Sequence, residues 1–107
     1  MNWPIRFLPQ AQDDFDRLDG SQKKQVATAL CKVSANPLPY TEGGYGKPLG
    51  HHAASNLTGL LKVKLKKAGL RIVYQLERRD KQMVIVIIDI RDDERVYRLA
   101  EKRLKEL

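Results

Sequence analysis

Hydrophobic and polar positions follow a helical period before residue 36 and a period of two after residue 56, and the expected elements follow from that change. The segment "WPIRFL" reads as a short strand. Behind it Ala11, Phe15 and Leu18 recur at helical spacing. Pro9 suits the first turn of that helix, and Asp13 and Asp14 favour its N-terminal half. Past Gly20, Ser21 is placed to cap a second helix whose stripe is Val26, Leu30 and Val33. Residues 36 to 56, "NPLPYTEGGYGKPLGHHAASN", are too rich in Pro and Gly for regular structure and are expected to form one long loop. Then Leu61, Val63 and Leu65 alternate with Lys62, Lys64 and Lys66, as in a strand buried on one face. A turn around Ala68 and Gly69 leads to "LRIVYQLE", and "MVIVIIDI", apolar on both faces, suits a central strand. Asp93 fits a cap for a final helix with Val96, Ala100 and Leu104 as its stripe. The expected class is α+β: a small antiparallel β-sheet in the order β-α-α-β-β-β-α, with a helical hairpin on one face and a C-terminal helix, all helices covering the same side.

Length and composition narrow this to one domain spanning 1–107, since 107 residues leave no room for a second core. The longest apolar run, residues 83 to 88, is far below the roughly 20 residues of a membrane helix, and the N-terminus lacks a signal-peptide core. A cytoplasmic protein with no membrane partner is expected. Cys31 is the single cysteine and reads as a small buried hydrophobe; nothing near it suggests a metal site. Trp3 and Phe7 are assigned to the core or its margin.

Charge changes the picture more. The formal net charge is +7, and residues 54 to 107 carry fourteen Lys and Arg against eight Asp and Glu. A positive field concentrated in one half attracts polyanions, which points to nucleic acid or an acidic protein. Alternation puts Lys62, Lys64 and Lys66 on one face. A short hairpin loop that opposes Lys66 to Arg71 and Leu65 to Ile72 brings Arg71 to the same face. Like charges opposed across a sheet cost up to about 1 kcal/mol, so a purely structural surface would intersperse acids. A solvated face that discourages edge-to-edge association is the plain alternative. Arg91 ends the last strand and Tyr97 lies in the first turn of the final helix. The apolar pattern does not fix the side on which Arg91 emerges.

"LLKVKLKKAGLRIVYQL" followed by "VIVIIDIRDDERVY" resembles the RelE branch of the RelE/ParE toxin superfamily, the small toxins of bacterial type II toxin-antitoxin pairs. The K-x-K strand, the G-x-R-[IVL]-[IV]-Y strand and the R-x5-Y ending stand in the family's order and spacing. The resemblance implies a ribosome-dependent endoribonuclease that cleaves messenger RNA in the decoding site, the 2′-hydroxyl of one nucleotide attacking the adjacent phosphate and translation stopping as a result. It implies no cofactor and no metal, with the ribosome, messenger RNA and a cognate antitoxin as partners. Carried over by position, Lys62, Lys64, Arg71, Arg91 and Tyr97 form the catalytic set. Lys64 is then the base or its electrostatic substitute, Lys62 and Arg71 hold the phosphate, Arg91 stabilises the leaving oxygen and Tyr97 stacks on an RNA base.

Lys66 and Lys67 are assigned to RNA binding, against ribosomal RNA. His51 and His52 fall outside the pattern and read as structural or solvent-exposed, although histidine is the usual acid-base residue at neutral pH. Asp89, Asp92, Asp93 and Glu94 are expected to orient Arg91 or favour the helix N-terminus. Two other functions remain compatible with the residues: the ParE branch, which inhibits DNA gyrase and generally lacks the basic cluster, and a catalytically inert basic module that binds RNA or protein.

Overall fold

The structure, a computed structural model, describes residues 2–52, 55–89 and 93–105, with side chains described at all of these except 50–52, 55–58 and 93–95. In chain order the elements are β1 (Ile5–Phe7), α1 (Pro9–Asp16), α2 (Gly20–Ser34), a 3-10 turn at Tyr40–Glu42, β2 (Lys47–His52), β3 (Ser55–Leu65), β4 (Leu70–Glu77), β5 (Gln82–Asp89) and α3 (Asp93–Lys105). The expected α+β order is present, with β2 added. The five strands lie in the order β1-β5-β4-β3-β2, so the doubly apolar β5 is interior, as its pattern requires. β1 runs parallel to β5, which makes the sheet mixed, and the other pairs are antiparallel.

Three local readings differ from the sequence expectation. Asp19, not Ser21, caps α2: its carboxylate accepts from the Gln22 backbone N–H at 2.7 Å and the Gln22 side chain accepts from the Asp19 N–H at 3.2 Å, a reciprocal box that draws Gly20 into the first turn. Residues 47 to 52 are a strand within the expected loop. β2 is an edge strand, where Pro48 can face outward without breaking a ladder, so the Pro and Gly content misled. Cys31 is exposed, because the buried positions Leu30 and Val33 fix the helix face and turn their neighbour outward. Trp3 and Phe7 are partly buried at the core margin.

Among the described residues the buried hydrophobics form one cluster built on β4 and β5, with Val26, Leu30 and Val33 of α2 and Val96, Tyr97 and Ala100 of α3. The helices do not share one side of the sheet. Leu61 is opposed to Tyr74, whose hydroxyl donates to the Pro37 carbonyl just beyond α2 at 2.8 Å. The next residue, Lys62, is bonded to Tyr97 of α3. Successive strand residues point to opposite faces, so α3 packs on the face away from α2. Burial pushes the Tyr74 phenol well above its ordinary range, keeping it a neutral donor. Beyond β4, Arg78 forms a two-point pair with Glu42 at 3.0 and 2.7 Å, and its guanidinium holds the Glu42 carboxyl below the usual range.

Gly46 makes the Tyr74 contact possible. A Cβ there would lie 2.3 Å from the Tyr74 hydroxyl and 3.1 Å from Leu61 Cδ1. Gly46→Ala is expected to destabilise the fold by about 1–3 kcal/mol through overpacking, read as a lowered urea midpoint at unchanged slope. A wild-type midpoint would show that Tyr74 moves freely.

Candidate functional site

The β3–β4 hairpin builds the basic face. Its turn occupies Lys66 to Gly69, closed by Gly69 N–H donating to the Lys66 carbonyl at 3.3 Å, and Gly69 takes a φ of +66°, which glycine adopts without strain. The turn therefore opposes Leu65 to Leu70 and Lys64 to Arg71. The sequence expectation opposed Lys66 to Arg71, two positions away. A displacement of two preserves parity, so the lysine face and Arg71 still coincide.

On the other side of β4, Arg71 is opposed to Asp89 of β5. Lys64, Arg71 and Asp89 thus lie in one row across three neighbouring strands, on the side that α3 occupies. Directly opposed residues have Cβ atoms about 4.5–5.5 Å apart, so this row sets an acid beside the guanidinium and offsets the repulsion between Lys64 and Arg71. Asp89 was expected to serve Arg91 or the helix end. Its place beside Arg71 follows from a bulge in the β4–β5 ladder between Val73 and Tyr74, which no local pattern announces.

Exposure divides the cations. Lys64 is exposed and Arg71 partly buried, whereas Lys62 is only 7% exposed. The Lys62 ammonium donates to the hydroxyl of Tyr97 and lies 5.1 Å from the ring centroid. Burying an ammonium costs several kcal/mol unless hydrogen bonds replace water, and the phenol oxygen supplies one. Lys62 is consequently a fixed positive charge beneath the surface row. Tyr97 is 1% exposed, which leaves no ring face for an RNA base, so the stacking expected of it does not occur in this arrangement. Its hydroxyl positions Lys62 instead.

Arg91 lies outside the described residues. Lys66 and Lys67 are exposed in the turn. His51 and His52 are opposed to Asn56 and Ser55 at the far end of the β2–β3 ladder. Asn56 is six residues along β3 from Lys62, on the order of 20 Å at the rise of a strand, so the histidines stand away from the basic row. Among the described residues there is no group of three or more His, Cys, Asp or Glu side chains suited to a metal ion, and no helix is long and apolar enough to cross a membrane.

Such a surface can bind a phosphodiester and stabilise charge that develops on it: one exposed amine, one guanidinium beside it and a buried ammonium behind. Comparison with known proteins gives this geometry a context. Residues 5–97 match the family model described as the ParE toxin of the type II toxin-antitoxin system parDE. A proposed RelE-like toxin protein of Escherichia coli is 29% identical over 110 residues, covering 98% of this chain and 100% of that protein. In fold, the chain is similar to a doubly substituted E. coli toxin RelE in the free state, with a TM-score of 0.73 at 20% identity over 97% of this chain and 99% of that one. A chain of the intact E. coli RelBE toxin-antitoxin complex is also similar, with a TM-score of 0.65 at 17% identity over 84% of this chain and 98% of that one.

Proposed function

The chain belongs to the RelE/ParE toxin superfamily of type II toxin-antitoxin systems, and from that premise we propose that it is a ribosome-dependent endoribonuclease acting on messenger RNA. The observation that carries this reading is the Lys64–Arg71 pair standing over the buried Lys62. In the proposed reaction the 2′-hydroxyl of one nucleotide gives up its proton to solvent and attacks the adjacent phosphorus, the bond to the 5′-oxygen breaks, and that oxygen takes a proton from solvent. A cyclic phosphate and a free 5′-hydroxyl result.

Arg71 and Lys64 bracket the phosphate, and Lys62 adds a positive charge that needs no reorganisation as the anionic transition state forms. Lys64, the exposed amine, is the group able to reach the 2′-hydroxyl. Arg91 is assigned to the leaving oxygen as an electrostatic stabiliser, since a guanidinium does not give up its proton. A cognate antitoxin is the expected protein partner, one that covers the basic row with an acidic segment; the antitoxin complex of the similar E. coli toxin supports the pairing.

The ParE description of the matching family model favours one second reading, inhibition of DNA gyrase. Expression of the chain alone in a bacterium, with transcript ends mapped, separates the two. Cuts clustered within translated codons are expected. Loss of gyrase supercoiling with intact transcripts would select the second reading.

A further inference from the structure

From Val63 to Leu65, among the described residues, the outer edge of β3 carries no strand, because the β2 ladder starts at Lys47 opposite Lys62. A groove runs between that edge and α2, lined by Lys24, Lys32, Lys64, Lys66 and Lys67 with Leu65, and no acidic residue lines it. All five lysines are exposed. Lys24 and Lys32 come from α2, on the opposite face of the sheet from the Lys64–Arg71 row. The open edge joins the two surfaces: Lys64, Leu65 and Lys66 line both this groove and the adjoining one that contains Arg71.

At the α2 end, the Lys32 ammonium lies 5.3 Å from the ring centroid of Tyr45, and Tyr45 is itself 52% exposed. Tyr45 thus sets a half-exposed aromatic ring beside the last lysine of the groove. Single-stranded nucleic acid is bound by this combination, cations along the backbone and an aromatic ring under a base. An acidic peptide would satisfy the lysines but leave the ring unused. The all-lysine lining also suits phosphates read as point charges, with no forked contact to a base edge.

We propose that this groove is a track for the substrate RNA: nucleotides flanking the phosphate held at Lys64 and Arg71 pass around the open edge of β3, run along Lys66, Lys67, Lys24 and Lys32, and end with a base on Tyr45. The track rests on the ribonuclease reading for the identity of its strand, and it adds α2 and Tyr45 to the surface that reading uses. Binding along it is independent of sequence and falls with salt.

The test is fluorescence anisotropy of the full chain with labelled oligouridylate, without ribosomes, across a salt series. The Lys24→Gln/Lys32→Gln variant is expected to weaken binding and to flatten the logarithmic salt slope by about 1.4, at roughly 0.7 per lysine on a single strand. Tyr45→Ala is expected to weaken binding about tenfold with the salt slope unchanged, and Tyr45→Phe to bind as wild type. All three positions are exposed, and circular dichroism checks that the fold persists. Wild-type affinity and slope in the lysine variant would overturn the track, as would a glutamate-rich peptide that binds the groove while oligouridylate does not. The assay needs no cleavage. A protein that binds along the track yet never cuts translated RNA would count against the ribonuclease reading and leave the track standing.

Discussion

Arg103→Ala is expected to lower stability by about 3–5 kcal/mol, as much as truncating a large core side chain. Arg103 donates to both carboxylate oxygens of Asp14, at 2.6 and 3.2 Å, and to the Val86 carbonyl at 3.0 Å. The pair is nearly dry, with side-chain exposures of 14% and 9%. Asp14 in turn accepts from the Ile88 backbone N–H at 3.1 Å. The reason lies in the sheet: the β1 ladder ends at Phe7 opposite Ile85, so the outer edge of β5 beyond that point needs other partners. Asp14 from α1 and Arg103 from α3 satisfy one donor and one acceptor there, tying a helix on each face to the same strand. Removing Arg103 leaves a buried carboxylate without its counter-charge and a carbonyl without its donor. Asp14→Leu/Arg103→Met is expected to recover much of the loss by replacing both charges with packing, although the Ile88 N–H then lacks its acceptor. Urea unfolding of Asp14→Leu, Arg103→Met and the double variant measures the coupling. A loss below about 1 kcal/mol in Arg103→Ala would mean that water takes over the edge.

That pair illustrates what the sequence could carry. Asp14 and Arg103 sit in separate helices at opposite ends of the chain, and each looks like an ordinary surface charge in its own helix. The lysine alternation of β3 was legible because a period of two is local, and the hairpin parity because it depends only on the turn. The exact partner of Arg71 was not legible, since Gly69 at positive φ decides where the turn closes. Neither was the burial of Lys62: alternation assigns it to the face opposite Leu61, and only the packing of α3 reveals that this face is covered there. β2 stayed hidden because an edge strand tolerates residues that an interior strand rejects. The α2 lysines escaped notice because charges on an amphipathic helix are ordinary, and only the open edge of β3 brings them to the site.

Arg71→Ala is expected to reduce cleavage of ribosome-bound message about 10²- to 10³-fold in kcat, the range for losing one preorganised donor to a developing anion. Arg71 is partly buried beside Asp89, so a thermal melt must accompany the assay. Tyr97 gives the sharper discrimination. If its ring stacked on an RNA base, Tyr97→Phe would keep the ring and the activity. In the structure the hydroxyl accepts from Lys62, so Tyr97→Phe takes an acceptor from a buried ammonium and is expected to cost about 1–3 kcal/mol of stability, with a further loss in kcat as Lys62 seeks water. Lys62→Met removes the buried charge and fills its space with an apolar chain, which offsets the donor lost to the Tyr97 hydroxyl, so stability is expected to change little while kcat falls. A stability loss in Tyr97→Phe alone with a shared loss of kcat, at similar KM, is the signature of a buried charge that acts on the transition state. Wild-type kcat in Lys62→Met would reduce Lys62 to a packing residue and leave Lys64 and Arg71 as the phosphate site among the described residues.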